Sequence, residues 1–311
     1  MLLQSKPPVL VTGATGNVGR TVVRTLLDAG VPVRALAAAP DAVPSRLGFS
    51  SPLLSVVAFD FERPKTYAAA FDGGAAMFLL RPPAIGDASV LSRAVDAAHE
   101  QGVSHVAFLS IQGAEKNPLV PHHAIERHLK AIASKDRSFS YVLLRAAFFM
   151  QNLSGTHAAD IREHDEILVP AGDGRTAFVD ARDVGAAAAH VLLDRADAPS
   201  ARRAYDLTGR DALSYDEVAA ILSQVCGRTI RYRHPSLLRF YRAMRGRGHP
   251  RGFIMVMMAL YSTARMGLAA QLSNDLEELL GRPPISLRQF AQDMVEAFRP
   301  QASELTDSTL T

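Results

Sequence analysis

The amino-acid sequence predicts an α/β fold in which helices cover both faces of a doubly wound, parallel β-sheet. Two observations lead to this prediction. Short runs that are apolar throughout alternate with longer segments whose apolar residues recur at helical spacing. Parallel strands that are buried on both faces have this composition, and helices connect them. A glycine-rich segment follows the first apolar run, at the strand end where such folds bind ligands.

The first half of the chain repeats this alternation regularly. Apolar runs predict six strands, and Gly30 and Gly102 end two of the helices between them. The strands are expected at 9–11, 31–36, 55–60, 75–80, 103–110 and 140–145, and the helices at 18–27, 90–98 and 122–134.

The regular alternation ends after Arg145. We expect an irregular segment at 151–178, a helix that returns to the sheet at 178–194, and later helices that start at capping signatures on Ser214 and Ser286. The expected sheet domain comprises residues 1–152 and 178–208, the smaller and mainly helical substrate-side region comprises 153–177 and 209–299, and residues 300–311 form a flexible tail.

The composition limits the classes of protein to consider. The chain has 311 residues, of which 48% are hydrophobic, so it can bury a large core. Its one cysteine, Cys226, excludes an intramolecular disulfide and a multi-cysteine metal site, and we expect no metal. No segment has the pattern of a secretory signal, and the apolar run at 252–261 is far shorter than the roughly 20 residues that cross a bilayer. We therefore expect a cytoplasmic protein with no membrane partner.

The segment VLVTGATGNVGR, which starts at residue 9, has the features of a phosphate-binding turn. Gly13, Gly16 and Gly19 lie three residues apart, between an apolar strand and an amphipathic helix. Glycine lets the backbone fold sharply, and it lets a pyrophosphate approach the unpaired N–H groups at the start of a helix. The residues that complete this predicted dinucleotide-binding turn are Ala14, Thr15, Asn17 and Val18.

This turn, together with VRAL, FDFERP, GVSHVAFLS and LLRAAFFMQN further along, resembles the NmrA-like branch of the atypical short-chain dehydrogenases/reductases over residues 8–300. The resemblance implies a Rossmann domain that binds NAD(P)(H), and a smaller C-terminal substrate region. The family includes NAD(P)H-dependent reductases and also proteins that bind the nucleotide only to report the redox state.

The choice between NAD and NADP stays open. The second strand ends in VRALAAAP, with no Asp or Glu to bind the ribose hydroxyls of NAD. The resemblance implies a phosphate-binding arginine at the position that Ala38 occupies here. Arg34 or Arg20 could replace it, because a guanidinium binds phosphate through two hydrogen bonds. The alternative for Arg34 is an ordinary strand residue.

Other cofactor contacts are expected at the strand ends. The resemblance implies that Asp60 and Phe61 contact the adenine, and the alternative for Asp60 is a turn aspartate. Leu80 and Arg81 end the fourth strand and are expected beside the cofactor ribose. Ser110 ends the fifth strand, near the usual position of the catalytic serine.

The resemblance also implies a Tyr-x-x-x-Lys pair on the helix after the fifth strand. The segment there, PHHAIERHLK, contains no tyrosine. His123 and Arg127 have the same four-residue spacing, which places them on one helix face. His123 could transfer a proton, because histidine titrates near neutral pH, and Arg127 could hold the ribose hydroxyls. The alternative is an exposed helix start whose histidines face solvent.

Two further segments are candidates for substrate contact. Phe148 and Phe149 follow the sixth strand and are expected to contact the substrate, although apolar residues after a strand often belong to the core. Residues 228–251 contain eight arginines and no acidic residue, and because the whole chain has a net charge of +3, the rest carries about −5. This arginine-rich segment could be a solvated face, a gate for an anionic substrate or, least favoured, a nucleic-acid contact.

Two functions stay open on the sequence alone. The first is an NAD(P)H-dependent oxidoreductase that acts on a hydrophobic carbonyl or quinone-like small molecule, and the apolar strand ends favour it. The second is a non-catalytic NAD(P)-binding redox sensor that acts through a protein partner, and the missing tyrosine–lysine pair favours it. Nucleic acid is not a favoured partner, because the net charge is small and no nucleic-acid-binding motif is present.

Overall fold

The computed structural model describes residues 6–194 and 203–300, which form two compact units. The first unit contains the described residues up to Ala147, those from Ala181 to Thr208, and Ser273–Pro284; the second contains Phe148–Asp180, Gly209–Leu272 and the described residues from Ile285 onward. Relative to the expected sheet domain, the first unit lacks residues 148–152 and 178–180 and includes 273–284. The expected tail lies, except for Pro300, outside the described residues.

The described residues contain twelve β-strands. In chain order they are β1 (Val9–Thr12), β2 (Val33–Ala37), β3 (Leu54–Ala58), β4 (Ala76–Leu80), β5 (His105–Ile111), β6 (Ser140–Ala146), β7 (Phe148–Phe149), β8 (Glu166–Ile167), β9 (Arg175–Val179), β10 (Arg203–Leu207), β11 (Ala212–Ser214) and β12 (Arg231–Tyr232).

The same ranges contain fourteen α-helices. They are α1 (Asn17–Asp28), α2 (Val43–Leu47), α3 (Tyr67–Phe71), α4 (Ala88–Glu100), α5 (Pro121–Lys135), α6 (Gln151–Ser154), α7 (Ala158–His164), α8 (Ala181–Leu193), α9 (Tyr215–Cys226), α10 (Leu237–Gly246), α11 (Arg251–Arg265), α12 (Asp275–Leu280), α13 (Leu287–Asp293) and α14 (Val295–Phe298). None of these described helices has both the length and the apolar character needed to cross a membrane.

The main sheet belongs to the first unit and is parallel throughout. Its strand order is β10-β6-β5-β4-β1-β2-β3. The chain runs outward from β1 through β2 and β3, then crosses back to β4 and continues in the other direction. The reversal between β1 and β4 is the switch point at which doubly wound sheets bind ligands beyond their carboxyl ends. The predicted fold class is therefore confirmed.

Helices pack closely on both faces of this sheet. On one face α1 and α8 are in direct contact, because a Cβ on Gly185 would lie only 2.5 Å from the Thr21 Cβ. On the opposite face, helices α3, α4 and α5 pack on the sheet, and the core between them contains the fully buried Phe71, Phe108 and Phe139. Alternate residues of each strand supply the two cores, as the continuous apolar runs predict.

The second unit is mainly helical and contains two small sheets, β11-β9-β7 and β12-β8. Its core includes the buried Tyr215, Phe240 and Tyr261. The Tyr261 hydroxyl lies 2.5 Å from Nε2 of the buried His157. Burial lowers the pKa of His157 to about 4, so this ring is neutral near pH 7.

The structure corrects some expected elements and confirms others. Residues 151–178 are not irregular, because they form α6, α7, β8 and most of β9. The helix expected at 178–194 starts only at Ala181, because residues 178–179 pair with β7 as a strand. Strand β10 was not expected. Both capping signatures are present: Ser214 accepts from the N–H of Glu217 and Ser286 from that of Gln289.

Candidate functional site

The glycine-rich turn joins β1 to α1 in the first unit. Gly13 has a φ of +61°, which favours glycine, and a Cβ there would lie 2.7 Å from the Leu80 Cδ2. A Cβ on Gly19 would overlap the Gly13 carbonyl oxygen. Gly16 is different: its φ is −79°, it is exposed, and its Cβ would meet only the Gly13 carbonyl oxygen, at 3.3 Å. The protein's own packing therefore requires Gly13 and Gly19, whereas Gly16 keeps a space open to solvent.

Helix α1 begins without a capping side chain. Gly16 is its N-cap residue, and the first turn contains no acidic residue. In the described part of the chain, no group accepts a hydrogen bond from the N–H of Asn17 or Val18. Of the remaining predicted turn residues, Ala14 is buried and Thr15 is half-buried. Unpaired N–H groups and the helix dipole attract anions, so these donors and the space over Gly16 fit the pyrophosphate of a dinucleotide.

The two arginines considered for the cofactor ribose lie at different edges of the sheet. Arg34 lies near the start of β2, and its Nη1 donates to the carbonyls of Ala70 at 3.2 Å and Asp72 at 2.5 Å. These carbonyls precede β4, at the amino edge, away from the glycine-rich turn. Arg20 is exposed in the first turn of α1, next to the glycine-rich turn, and its Nη2 donates to the Arg46 carbonyl. Arg34 is thus held at the edge away from the turn, and a phosphate contact by Arg20 stays a prediction.

The residues expected to contact the adenine already have partners. The Asp60 carboxylate accepts from the N–H of Glu62 at 2.9 Å and pairs with Arg63 at 3.2 Å. The Phe61 ring is buried, edge to face with Phe59 at a centroid distance of 4.7 Å. Asp60 thus has the contacts of a turn aspartate, and Phe61 belongs to an aromatic core. Their adenine contacts stay a prediction without further support.

The end of β4 is fixed to β1 and carries an unpaired donor. The buried Thr12 hydroxyl donates to the Phe78 carbonyl at 3.0 Å and accepts from the N–H of Leu80 at 2.8 Å. Arg81 donates from Nη1 to the Ile85 carbonyl at 2.5 Å. Its Nε is buried and has no partner among the described residues, and burial lowers the pKa of its guanidinium. Arg81 Nε is thus a buried donor without a described partner, and the ribose contacts of Leu80 and Arg81 stay a prediction.

The polar residues that α5 buries are not the pair that the sequence predicts. Its buried residues recur at helical spacing and are His122, Ile125, Glu126, Leu129 and Ala133. His123 is half-buried beside this face, and Arg127 is exposed. The expected four-residue spacing is therefore present on the inward face, but its members are His122 and Glu126. Nothing in the described contacts supports a ribose contact by Arg127.

A buried ionic network connects the ends of β5 and β6 to α5. The Ser110 hydroxyl donates to Glu126 at 2.7 Å, and Arg145 donates to the same carboxylate from Nε at 3.0 Å and Nη2 at 2.7 Å. Burial would raise the pKa of Glu126, but the hydrogen bonds from Arg145 and Ser110 outweigh it and hold the pKa below its usual range. Glu126 is therefore a carboxylate, and the Ser110 proton points to it.

His122 lies next to this network. Its ring stacks on Phe108 at a centroid distance of 5.9 Å, and its buried Nδ1 has no partner in the described structure. Burial, and then the nearby charge of Arg81, lower the pKa of His122 to about 4. The ring is neutral near pH 7, so His122 cannot act as a cationic acid there.

His123 is oriented by the backbone. Its Nδ1 lies 2.8 Å from the Ala114 carbonyl oxygen. Because a carbonyl only accepts, the ring donates from Nδ1, and Nε2 is the nitrogen that exchanges a proton with another group. This arrangement is compatible with the proton-transfer role that the sequence suggests.

Phe148 and Phe149 form β7 in the second unit, and both are half-buried. The Phe148 ring packs against that unit's core, 6.4 Å from the Tyr261 ring centroid. The core interpretation thus describes Phe148 well, while substrate contact by either residue stays a prediction.

The arginine-rich segment is partly neutralised within the second unit. Arg239 pairs with Glu166 at 2.6 Å, Arg247 pairs with the buried Asp160, and Arg228 pairs with Asp165.

The fold and the turn together define a dinucleotide-binding Rossmann protein, and comparison with known proteins gives the family. The chain belongs to the NmrA-like family, whose pattern matches residues 5–278. It is 32% identical over 291 residues to the NAD(P)H azoreductase of Xenophilus azovorans, over 93% of this chain and 99% of that protein.

Solved structures agree with this assignment. The structure of the Citrobacter triphenylmethane reductase complexed with NADP(H) has a TM-score of 0.78 and 25% identity, and covers 92% of this chain and 99% of that one. The NADPH-dependent quinone oxidoreductase of Escherichia coli has a TM-score of 0.76 and 25% identity, with the same coverage. These relatives confirm the predicted class, an NAD(P)(H)-dependent oxidoreductase of the NmrA-like kind.

Proposed function

We propose that this protein reduces a quinone-like, hydrophobic small molecule with NAD(P)H. The proposal rests on the lack of a tyrosine at the position where the family resemblance implies a catalytic one. Helix α5 contains no tyrosine, and the Ser110 hydroxyl donates to Glu126 instead of facing a substrate carbonyl. Helix α5 therefore offers no phenol to protonate a strongly basic alkoxide.

A quinone-like acceptor suits such a site. The bound nicotinamide supplies a hydride. Addition of a hydride to a quinone yields a phenolate, whose conjugate acid has an ordinary pKa of about 10, as in tyrosine. Such an anion takes its proton from water or from a weak acid, whereas an alkoxide needs a positioned donor. The names of the azoreductase and quinone oxidoreductase relatives point to the same class of acceptor.

The chain's own residues would divide the remaining tasks. The uncapped start of α1 binds the pyrophosphate over Gly16, and Arg20 is placed to bind a 2′-phosphate. His123, whose Nδ1 donates to the Ala114 carbonyl, would transfer the proton through Nε2. Glu126 and Arg145 hold the carboxyl ends of β5 and β6 in place.

Turnover with a panel of quinones tests the proposal. The purified protein should oxidise NADPH or NADH when a quinone is added, and the Gly16→Val variant, which fills the pyrophosphate space, should not. Cofactor binding without turnover on any quinone or azo compound would contradict the proposal and favour the redox sensor.

A further inference from the structure

One segment of the second unit, residues 238–272, combines exposed apolar side chains with arginines. Nine large apolar side chains of the described residues are exposed, and seven of them lie within residues 238–272. These seven are Leu238, Phe253, Met255, Val256, Met266, Leu268 and Leu272. Single exposed apolar residues are ordinary, but a concentration of this kind marks an interaction site. We call it the apolar–arginine surface; α10, α11 and residues 266–272 form it.

Helix α11 shows why folding alone does not explain these residues. Its buried face consists of Ile254, Met257, Tyr261 and Ala264. Met255 and Val256 lie on the opposite face, with 57% and 67% of their surface exposed. A helix at the surface of a globular protein normally carries polar residues there. The outer face of α11 is therefore apolar without contributing to the core.

The chain segment that forms this surface carries charge of one sign, although the exposed Asp173 lies beside Arg265 and Met266. Residues 218–274 contain nine arginines and no Lys, Asp or Glu. Some of these arginines pair with acidic residues elsewhere in the unit, but Arg242 and Arg251 are exposed and have no ion pair with a described acidic group. In α10, Leu238 and Arg242 are four residues apart and share an exposed stripe.

The combination selects among possible partners. A second copy of this chain would bring two arginine-rich surfaces together with no acidic residue in either segment, and this repulsion disfavours self-association. Nucleic acid would match the charge, but it would leave the exposed Met255, Val256 and Leu268 without apolar contacts. An anionic lipid surface matches both features, because apolar side chains enter the acyl boundary while arginines contact headgroup phosphates.

We propose that the apolar–arginine surface docks the protein on an anionic lipid bilayer. Helix α11 has 15 residues and is about 22 Å long, so it lies on a bilayer whose hydrocarbon core is about 30 Å thick instead of crossing it. The expectation of no membrane partner rested on the lack of a spanning run, which a surface contact does not need. The proposal is independent of the reductase activity.

A tryptophan reporter provides the direct test, because the chain contains no tryptophan. Val256→Trp places the probe on the outer face of α11, and Leu119→Trp is the matched control at a residue that is 91% exposed in the first unit. With vesicles of phosphatidylcholine and phosphatidylglycerol, the emission of Val256→Trp should shift to shorter wavelength, and that of Leu119→Trp should not. Vesicles of phosphatidylcholine alone should give no shift.

Sedimentation with the same vesicles tests the charges. Each basic residue near an anionic surface contributes roughly a fivefold gain in affinity, so Arg242→Glu with Arg251→Glu should weaken binding by at least about twenty-five-fold. Arg137→Glu, at an exposed arginine of the first unit, should bind like the parent. Equal sedimentation of all variants, no sedimentation of the parent, or a dimer or DNA complex lost in the double variant would overturn the proposal.

Discussion

The Arg145 guanidinium and the Glu126 carboxylate form a two-pronged ion pair whose side chains are only 12% and 2% exposed. Such a pair in a buried position costs desolvation energy, and it persists only where further hydrogen bonds satisfy it. Ser110 supplies one of these, and Glu115 lies 3.3 Å from Arg145. The pair thus joins β6 to α5 at the edge of the sheet where the cofactor site lies.

Removal of the charge on Glu126 should destabilise the protein strongly. In Glu126→Gln, Arg145 loses its closest anion while it stays largely buried. Breaking a buried pair costs about 3–5 kcal/mol, and we expect the lower end because Glu115 remains nearby. Thermal denaturation followed by circular dichroism measures the loss. Glu100→Gln, at an exposed residue, is the control and should melt like the parent.

The same pair predicts the acid limb of stability. The folded-state pKa of Glu126 is below the ordinary value of 4.5. Its contribution is therefore complete above pH 4.5 and is lost as the pH falls through the folded-state pKa. The melting temperature of the parent should fall more steeply with acid than that of Glu126→Gln. Parallel acid limbs in the two proteins would show that Glu126 is not held as a carboxylate.

The sequence could have identified this network. Ser110 was expected at the end of its strand, and the apolar Ile125 and Leu129 define the inward face of α5. Extending that face by helical spacing reaches His122 and Glu126. The spacing of the tyrosine–lysine pair predicts His123 and Arg127 instead, because spacing alone does not define which face of the helix is buried.

Strand β10 shows what the sequence could not reveal. It is an edge strand of five residues in the main sheet, and it contains charged residues. The N–H of Asp206 donates to the Asp275 carboxylate at 2.7 Å, across 69 residues of sequence. The strand is defined by its pairing with β6 and by this remote contact. The local pattern of apolar residues does not predict it.

Gly16 offers the cleanest test of cofactor binding. Gly16→Val should fold, because φ is ordinary and the added Cβ meets only the Gly13 carbonyl oxygen, at 3.3 Å, but its side chain would occupy the pyrophosphate position. Gly13→Val should instead lower the melting temperature much more, because of its positive φ and the contact with Leu80. Calorimetric titration with NADPH should show severe loss for Gly16→Val with only a small change in melting temperature. Gly246→Val, at a glycine with nothing within 4 Å of its added Cβ, should bind like the parent, and normal binding by Gly16→Val would remove the basis of this site.

The two arginines should differ in their effect on cofactor choice. Arg20→Gln should weaken NADPH binding by about tenfold or more and leave NADH binding unchanged, because a charge-assisted hydrogen bond contributes about 1.5–3 kcal/mol. Arg34→Gln should change neither affinity, since Arg34 donates to the Ala70 and Asp72 carbonyls. Titration of both cofactors measures this. The reverse pattern would show that Arg34 reorients to reach the phosphate.

A substitution directly after β2 should strengthen the binding of NADPH relative to NADH. Ala38 is exposed directly after the strand, and no acidic residue precedes it there. We expect the parent to prefer either cofactor by less than about a hundredfold, or 2.8 kcal/mol. Ala38→Arg should raise NADPH affinity by adding a two-pronged phosphate contact. A larger preference in the parent would show that another residue contacts the ribose and distinguishes NADP from NAD.

Substitution of each of the two neighbouring histidines of α5 should show which group donates the proton to the reduced substrate. If Nε2 of His123 delivers it, His123→Ala should lower the rate of quinone reduction by about 10²–10⁴. His122→Phe, which keeps a ring on Phe108, should retain the parent's rate near pH 7, because the pKa of His122 is about 4 and its neutral ring is not a cationic acid there. The measurement is the single-turnover rate at saturating cofactor, so that changes in binding do not contribute. An unchanged rate in His123→Ala would show that water protonates the reduced quinone and that His123 is an ordinary helix residue.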